Sequence, residues 1–80
     1  MQVKIKKLNF REAETMTNIL KKYSCEAVIE QDENNRVDAK SLLGVIAMTY
    51  FAAPALLVIN ELDPQLYGEL NRELMPFYSR

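Results

Sequence analysis

Apolar residues in this chain change their spacing from two to 3.6 and back, and that switching constrains the fold more tightly than any other feature of the sequence. Residues 2–7 alternate, with Gln2, Lys4 and Lys6 on one side and Val3 and Ile5 on the other. This is the period of a half-buried strand. Ala13, Met16, Leu20 and Tyr23 then follow at helical spacing, which predicts an amphipathic helix over residues 10–23. Asn9 is placed to cap that helix, because its side-chain oxygen can accept an orphan backbone N–H. Glu12, at the third helical position, can reach back to the Asn9 N–H in a variant of the capping box. Its charge also suits the positive end of the helix dipole.

Alternation returns over residues 25–31, with Cys25, Ala27 and Ile29 against Glu26, Val28 and Glu30. Asp32-Glu33-Asn34-Asn35 reads as a polar turn, and Arg36 to Ala39 resumes as a short strand, so the pair predicts a hairpin. Ser41 can cap a second helix over residues 42–49, in which Leu42, Leu43, Val45, Ile46 and Met48 are apolar almost all round. Two turns of helix cannot bury every face, so part of this surface is expected to be exposed. Ala52-Ala53-Pro54 ends the segment, and Ala55 to Asn60 reads as a central strand. Asp63 caps the last helix, with Pro64 at its first position and Leu62 and Tyr67 as a hydrophobic staple. Leu62, Leu66, Leu70 and Leu74 form its buried stripe, and Pro76 marks its end or last turn.

The predicted order is β-α-β-β-α-β-α. Alternation on the outer strands implies an α+β fold, a two-layer open-faced sandwich. A four-stranded antiparallel sheet is covered on one face by three helices, in a single domain over residues 1–80. Ten basic and eleven acidic residues leave a net charge of −1. That balance exerts no global pull toward nucleic acid or anionic lipid. The lysines that gather at Lys4, Lys6 and Lys7 and at Lys21 and Lys22 read as solvated positions. The longest apolar stretch, Val45 to Ile59, is broken by Thr49 and Pro54 and is too short for a membrane span. No apolar segment follows the first lysines, so no signal peptide is expected. Cys25, the single cysteine, has no internal partner. A chain this short without a disulfide framework fits a cytoplasmic setting.

The stretch Val37 to Met48, VDAKSLLGVIAM, resembles the regulatory-serine segment of the HPr family, the histidine-containing phosphocarriers of the sugar phosphotransferase system. That segment typically reads V-N-L-K-S-I-M-G-V-M-S-L. Lys40, Ser41, Gly44 and Val45 fall on matching positions, and the element order agrees over nearly the whole chain. Lys22-Tyr23 is similar to the family's helix-end pair. Counting back from it aligns Lys7-Leu8-Asn9-Phe10-Arg11-Glu12-Ala13 with the family's Gly-hydrophobic-His-Ala-Arg-Pro-Ala. Arg11 and Ala13 match, Phe10 replaces alanine and Glu12 replaces proline. Asn9 stands where the resemblance implies the phosphorylated histidine, and the chain has no histidine at all.

An amide nitrogen has its lone pair delocalised into the carbonyl, so Asn9 is no nucleophile. No catalytic residue, cofactor or metal is expected, and no enzymatic activity. The resemblance gives Arg11 a role in holding phosphate. Pairing with Glu12 or Glu14, or simple solvation, is the alternative. Ser41 carries two readings. It is a helix cap worth about 1 kcal/mol, or, by resemblance, a site phosphorylated by HPr kinase whose product joins a transcription regulator. Lys40 beside it and the helix dipole make a phosphate physically tolerable. In the family, the surface formed by the two helix starts docks partner proteins. That implies a partner-binding surface of Phe10, Arg11, Leu42, Leu43 and Ile46, unless the apolar members belong to the core.

The leading expectation is a noncatalytic regulatory or interaction protein related to the phosphotransferase system, with protein partners and no nucleic-acid or membrane partner. A structural or oligomerising scaffold is the alternative, and the oligomeric state stays open, a dimer included. An active phosphocarrier would need a substitute nucleophile such as Cys25.

Overall fold

The computed structural model describes residues 1–50, the last three of them as backbone, and residues 55–79. Its elements run β1 (Gln2–Ile5), α1 (Phe10–Lys21), β2 (Glu26–Asp32), β3 (Asn35–Asp38), α2 (Leu42–Tyr50), β4 (Ala55–Asn60) and α3 (Tyr67–Leu74). Two short 3₁₀ turns, Pro64–Leu66 and Met75–Phe77, flank α3. The four strands form one sheet in the order β1-β4-β2-β3, every pair antiparallel. The expected open-faced α+β arrangement is therefore present. The segment Ala52-Ala53-Pro54, expected to end α2, lies outside the described residues.

The register follows the alternation. Leu57 stands opposite Val3 on one side and Ile29 on the other, and Val58 stands opposite Gln2 and Val28. Ile5, Ile29, Leu57 and Ile59 thus face the helices, where they join Met16 and Leu20 of α1, Val45 of α2, and Leu70 and Leu74 of α3 in one buried core. The other face carries Val28, Leu56 and Val58 at its centre. Lys4, Glu30, Arg36 and Asp38 flank them, and the directly opposed Glu30 and Arg36 form an ion pair (Nε to Oε2, 3.1 Å).

Element ends differ from the sequence reading for local reasons. β1 stops at Ile5, and the next amide, Lys6 N–H, donates to the Phe77 carbonyl (2.9 Å). α1 stops at Lys21. The Lys22 N–H falls back on the Ile19 and Leu20 carbonyls, and Tyr23 is drawn into tertiary contacts. The last helix opens as a 3₁₀ turn, because the Asp63 side chain accepts from Gln65 N–H and its carbonyl from Leu66 N–H (2.9 Å). Such i→i+3 bonds tighten the first turn. Leu62, Leu70 and Leu74 are buried and Leu66 is half-buried, so the stripe has the expected phase.

Strand directions fix where the helices start. β1 and β2 both oppose β4 and so run parallel to each other, while β3 runs the other way. α1 leaves the sheet at the end where Ile5 meets Ala55, and α2 leaves at the opposite end, where Asp38 meets Val28.

Candidate functional site

At the start of α1 the capping box forms in full. Asn9 has extended backbone (φ −84°, ψ 176°), and its Oδ1 accepts from the Glu12 N–H at 2.8 Å. The Asn9 N–H donates to Glu12 Oε1 at 3.2 Å. The second carboxylate oxygen, Oε2, is taken by the Lys6 ammonium at 2.6 Å. Lys6 and the backbone bond from Asn9 together hold the Glu12 carboxyl below its ordinary range. The position aligned with a phosphoryl acceptor thus holds an amide whose oxygen already accepts a hydrogen bond. The nearest anion is the chain's own carboxylate.

Arg11 is exposed and its guanidinium forms no hydrogen bond or ion pair among the described residues. Glu12 pairs with Lys6 rather than with Arg11. Phe10 is 62% exposed. Cys25, the substitute nucleophile considered above, is half-buried just before β2. The length of α1, twelve residues or about 18 Å, separates the two ends, so its thiol cannot serve a reaction at Asn9.

The start of α2 is built differently. Asp38 closes a tight turn: its Oδ1 accepts from Lys40 N–H (2.8 Å) and its carbonyl from Ser41 N–H (3.0 Å). Ser41 is exposed, and its Oγ accepts from Gly44 N–H at 3.4 Å, a long capping bond. A Cβ at Gly44 would lie 3.3 Å from Val37 Cβ, a tight approach, so α2 packs closely on β3 there. The Lys40 ammonium, expected beside Ser41, instead donates to the Tyr23 carbonyl (2.7 Å). The buried Thr17 hydroxyl donates to the Ala39 carbonyl (3.4 Å). Both bonds hold the Ser41 corner against the second half of α1.

The expected surface residues are distributed over both helices, with Phe10 and Arg11 in the first turn of α1 and Leu42, Leu43 and Ile46 on α2. The two helix starts stand at opposite ends of the sheet. Leu43 is 82% exposed, whereas Leu42 and Ile46 are half-buried against the core. The strongly exposed apolar side chains among these five are Phe10, on α1, and Leu43, on α2.

Sequence reading missed the contacts that tie the helices together. Tyr23 donates its hydroxyl to Glu73 Oε2 (2.5 Å), and Lys22 pairs with Glu73 Oε1 (2.6 Å). The Glu73 carboxyl is held low by Lys22 and Tyr23. The Tyr23 phenol is pushed up by its bond to Glu73 and by burial. Tyr23 thus links α1 to α3 through its side chain and to the Ser41 corner through its carbonyl. Among the described residues no group of three metal-ligating side chains gathers, and no helix is long and apolar enough to cross a membrane. No family model matches the chain, and no curated protein or solved structure matches it significantly.

Proposed function

We propose that this chain is an HPr-like interaction protein that does not carry a phosphoryl group. One observation carries the reading: the Asn9–Glu12–Lys6 arrangement closes the start of α1 with the chain's own groups. Phosphoryl transfer needs a nucleophilic lone pair and a place for the anion. Here the amide supplies neither, and Glu12 repels a second negative charge. A protein of this class acts by binding, with Phe10 and Leu43 as apolar anchors, as suits exposed residues of this size at an interface.

Regulation at Ser41 is part of this proposal. The hydroxyl is exposed at a helix start, where a phosphate meets the positive end of the dipole. A second reading, in which Ser41 is only a cap and the chain is a scaffold, draws on the Asp38 carboxylate three residues before it. It draws also on Lys40, whose charge is engaged by Tyr23.

Incubation with HPr kinase and ATP, followed by intact mass, tests the choice. One added phosphate, lost in Ser41→Ala, supports the regulatory form. No addition leaves the scaffold reading. A second incubation, with enzyme I and phosphoenolpyruvate, is expected to give no acid-labile adduct, and its appearance would overturn the noncatalytic reading.

A further inference from the structure

The two edges of the sheet are treated differently. In an antiparallel ladder, alternate residues turn their main-chain groups toward the neighbour or away from it. The Ile59 N–H donates to the Met1 carbonyl (2.8 Å), so Met1, Val3 and Ile5 face β4 while Lys4 and Lys6 face outward. Two of those outward groups are covered: Lys6 N–H donates to Phe77 O (2.9 Å) and Ser79 N–H to Lys4 O (2.9 Å). The second half of the β1 edge is thereby covered by residues 77–79.

The β3 edge carries no such cover among the described residues. The Ala39 N–H donates to the Ala27 carbonyl (2.8 Å), so in register Val37 faces β2, and Arg36 and Asp38 turn outward. Of the outward main-chain groups on these two residues, the Asp38 carbonyl accepts the Ser41 N–H (3.0 Å) and keeps a second lone pair. An open edge of this kind is a template for another strand.

We propose that the β3 edge pairs with the β3 edge of a second copy of this chain, joining two sheets across a two-fold axis through Val37. Register supplies the argument. With the axis at Val37, Arg36 of each copy stands directly opposite Asp38 of the other. Both pairs exchange main-chain hydrogen bonds at a Cα separation of about 5.5 Å. Arg36 and Asp38 share the open face of the sheet, so opposite charges meet across the seam, twice. The Arg36 Nε stays on Glu30 (3.1 Å), which leaves the other guanidinium nitrogens for the partner carboxylate. Shifting the axis by one residue either way keeps outward groups facing each other but sets Arg36 against Arg36, or Asp38 against Asp38. One register is thus favoured and its neighbours are penalised, the behaviour of a self-complementary isologous interface.

The helical layer agrees. The same axis puts both α2 helices on one side of the joined sheet, next to the seam, because α2 is seated on β3 at Gly44. Leu43, 82% exposed, and Ala47, exposed one turn later, are the outer residues of α2. They are apolar where a monomer's surface helix is ordinarily polar. This inference stands on the edge and on α2, and it shares Leu43 with the binding surface proposed above.

Sedimentation equilibrium of the full chain over a wide concentration range tests it, with circular dichroism to verify folding. A reversible monomer–dimer equilibrium is expected. Arg36→Asp and Asp38→Arg each place like charges across the seam and should weaken association by about tenfold or more. The double exchange restores opposite charges and should recover most of the loss. Asp38 also closes the turn before α2, so two further variants leave it untouched: Arg36→Pro removes an outward N–H without touching the β2 ladder, and Leu43→Glu charges the α2 face. Both should shift the equilibrium to monomer. A chain that stays monomeric up to its solubility limit, or a dimer indifferent to Arg36→Asp and Arg36→Pro, overturns the proposal.

Discussion

The starts of α1 and α2 solve one problem in two ways. Both must satisfy orphan N–H groups. At α1 two side-chain bonds do it, Glu12 N–H to Asn9 and Asn9 N–H to Glu12, and the Lys6 ammonium holds the Glu12 carboxylate in place. At α2 the cap is a single long bond to Ser41. The helix is held instead by tertiary means, through Gly44 against Val37 and Lys40 on the Tyr23 carbonyl. The difference teaches that α1 begins where its own sequence says so, whereas α2 begins where the sheet and α1 allow it.

The largest effect should come from attacking the packing that α2 depends on. Gly44→Val puts branched carbons into the 3.3 Å approach to Val37 and should cost about 2 kcal/mol in urea unfolding. A cost below about 0.5 kcal/mol would mean that α2 does not rely on β3. Next, the caps can be compared directly. Asn9→Ala should cost about 1.5 kcal/mol, and Ser41→Ala only about 0.5 kcal/mol because its bond is long. Equal losses would erase the contrast. The smallest effect is electrostatic. The Glu12 carboxyl is lowered from its ordinary 4.5 in the folded chain, so folding favours its charged form. Its contribution is complete above that ordinary value and is lost as the pH falls through the folded one. Lys6→Met should move the Glu12 titration, followed by carboxyl NMR, most of the way back to its ordinary position. A Glu12 titration unmoved by Lys6→Met would show that the Asn9 backbone bond alone holds the charge.

The capping box at α1 was legible because its residues sit three apart, and the inward face of each outer strand was legible because alternation admits only one buried set. Lys6 escaped notice because its link to Glu12 crosses a turn and obeys no helical spacing. Glu73 could not be foreseen as the partner of Lys22 and Tyr23, since some fifty residues separate them. Separation of the two helix starts also lay beyond a linear reading. Element order predicts which helices form, but β1 and β3 point in opposite directions only because β4 lies between β1 and β2.

That strand order governs how the chain acquires its structure during synthesis. β4 is made last of the four described strands, yet it lies inside the sheet and, among the described residues, is the strand that pairs with β1. Until Asn60 has been made, a growing chain holds one paired unit, the β2–β3 hairpin, while β1 has no neighbour along its length. Closing the sheet then joins residues more than fifty positions apart, such as Gln2 and Val58. Such long-range closure slows folding relative to a chain of local contacts. It also makes completion of β4 the step that commits a newly made molecule to its fold.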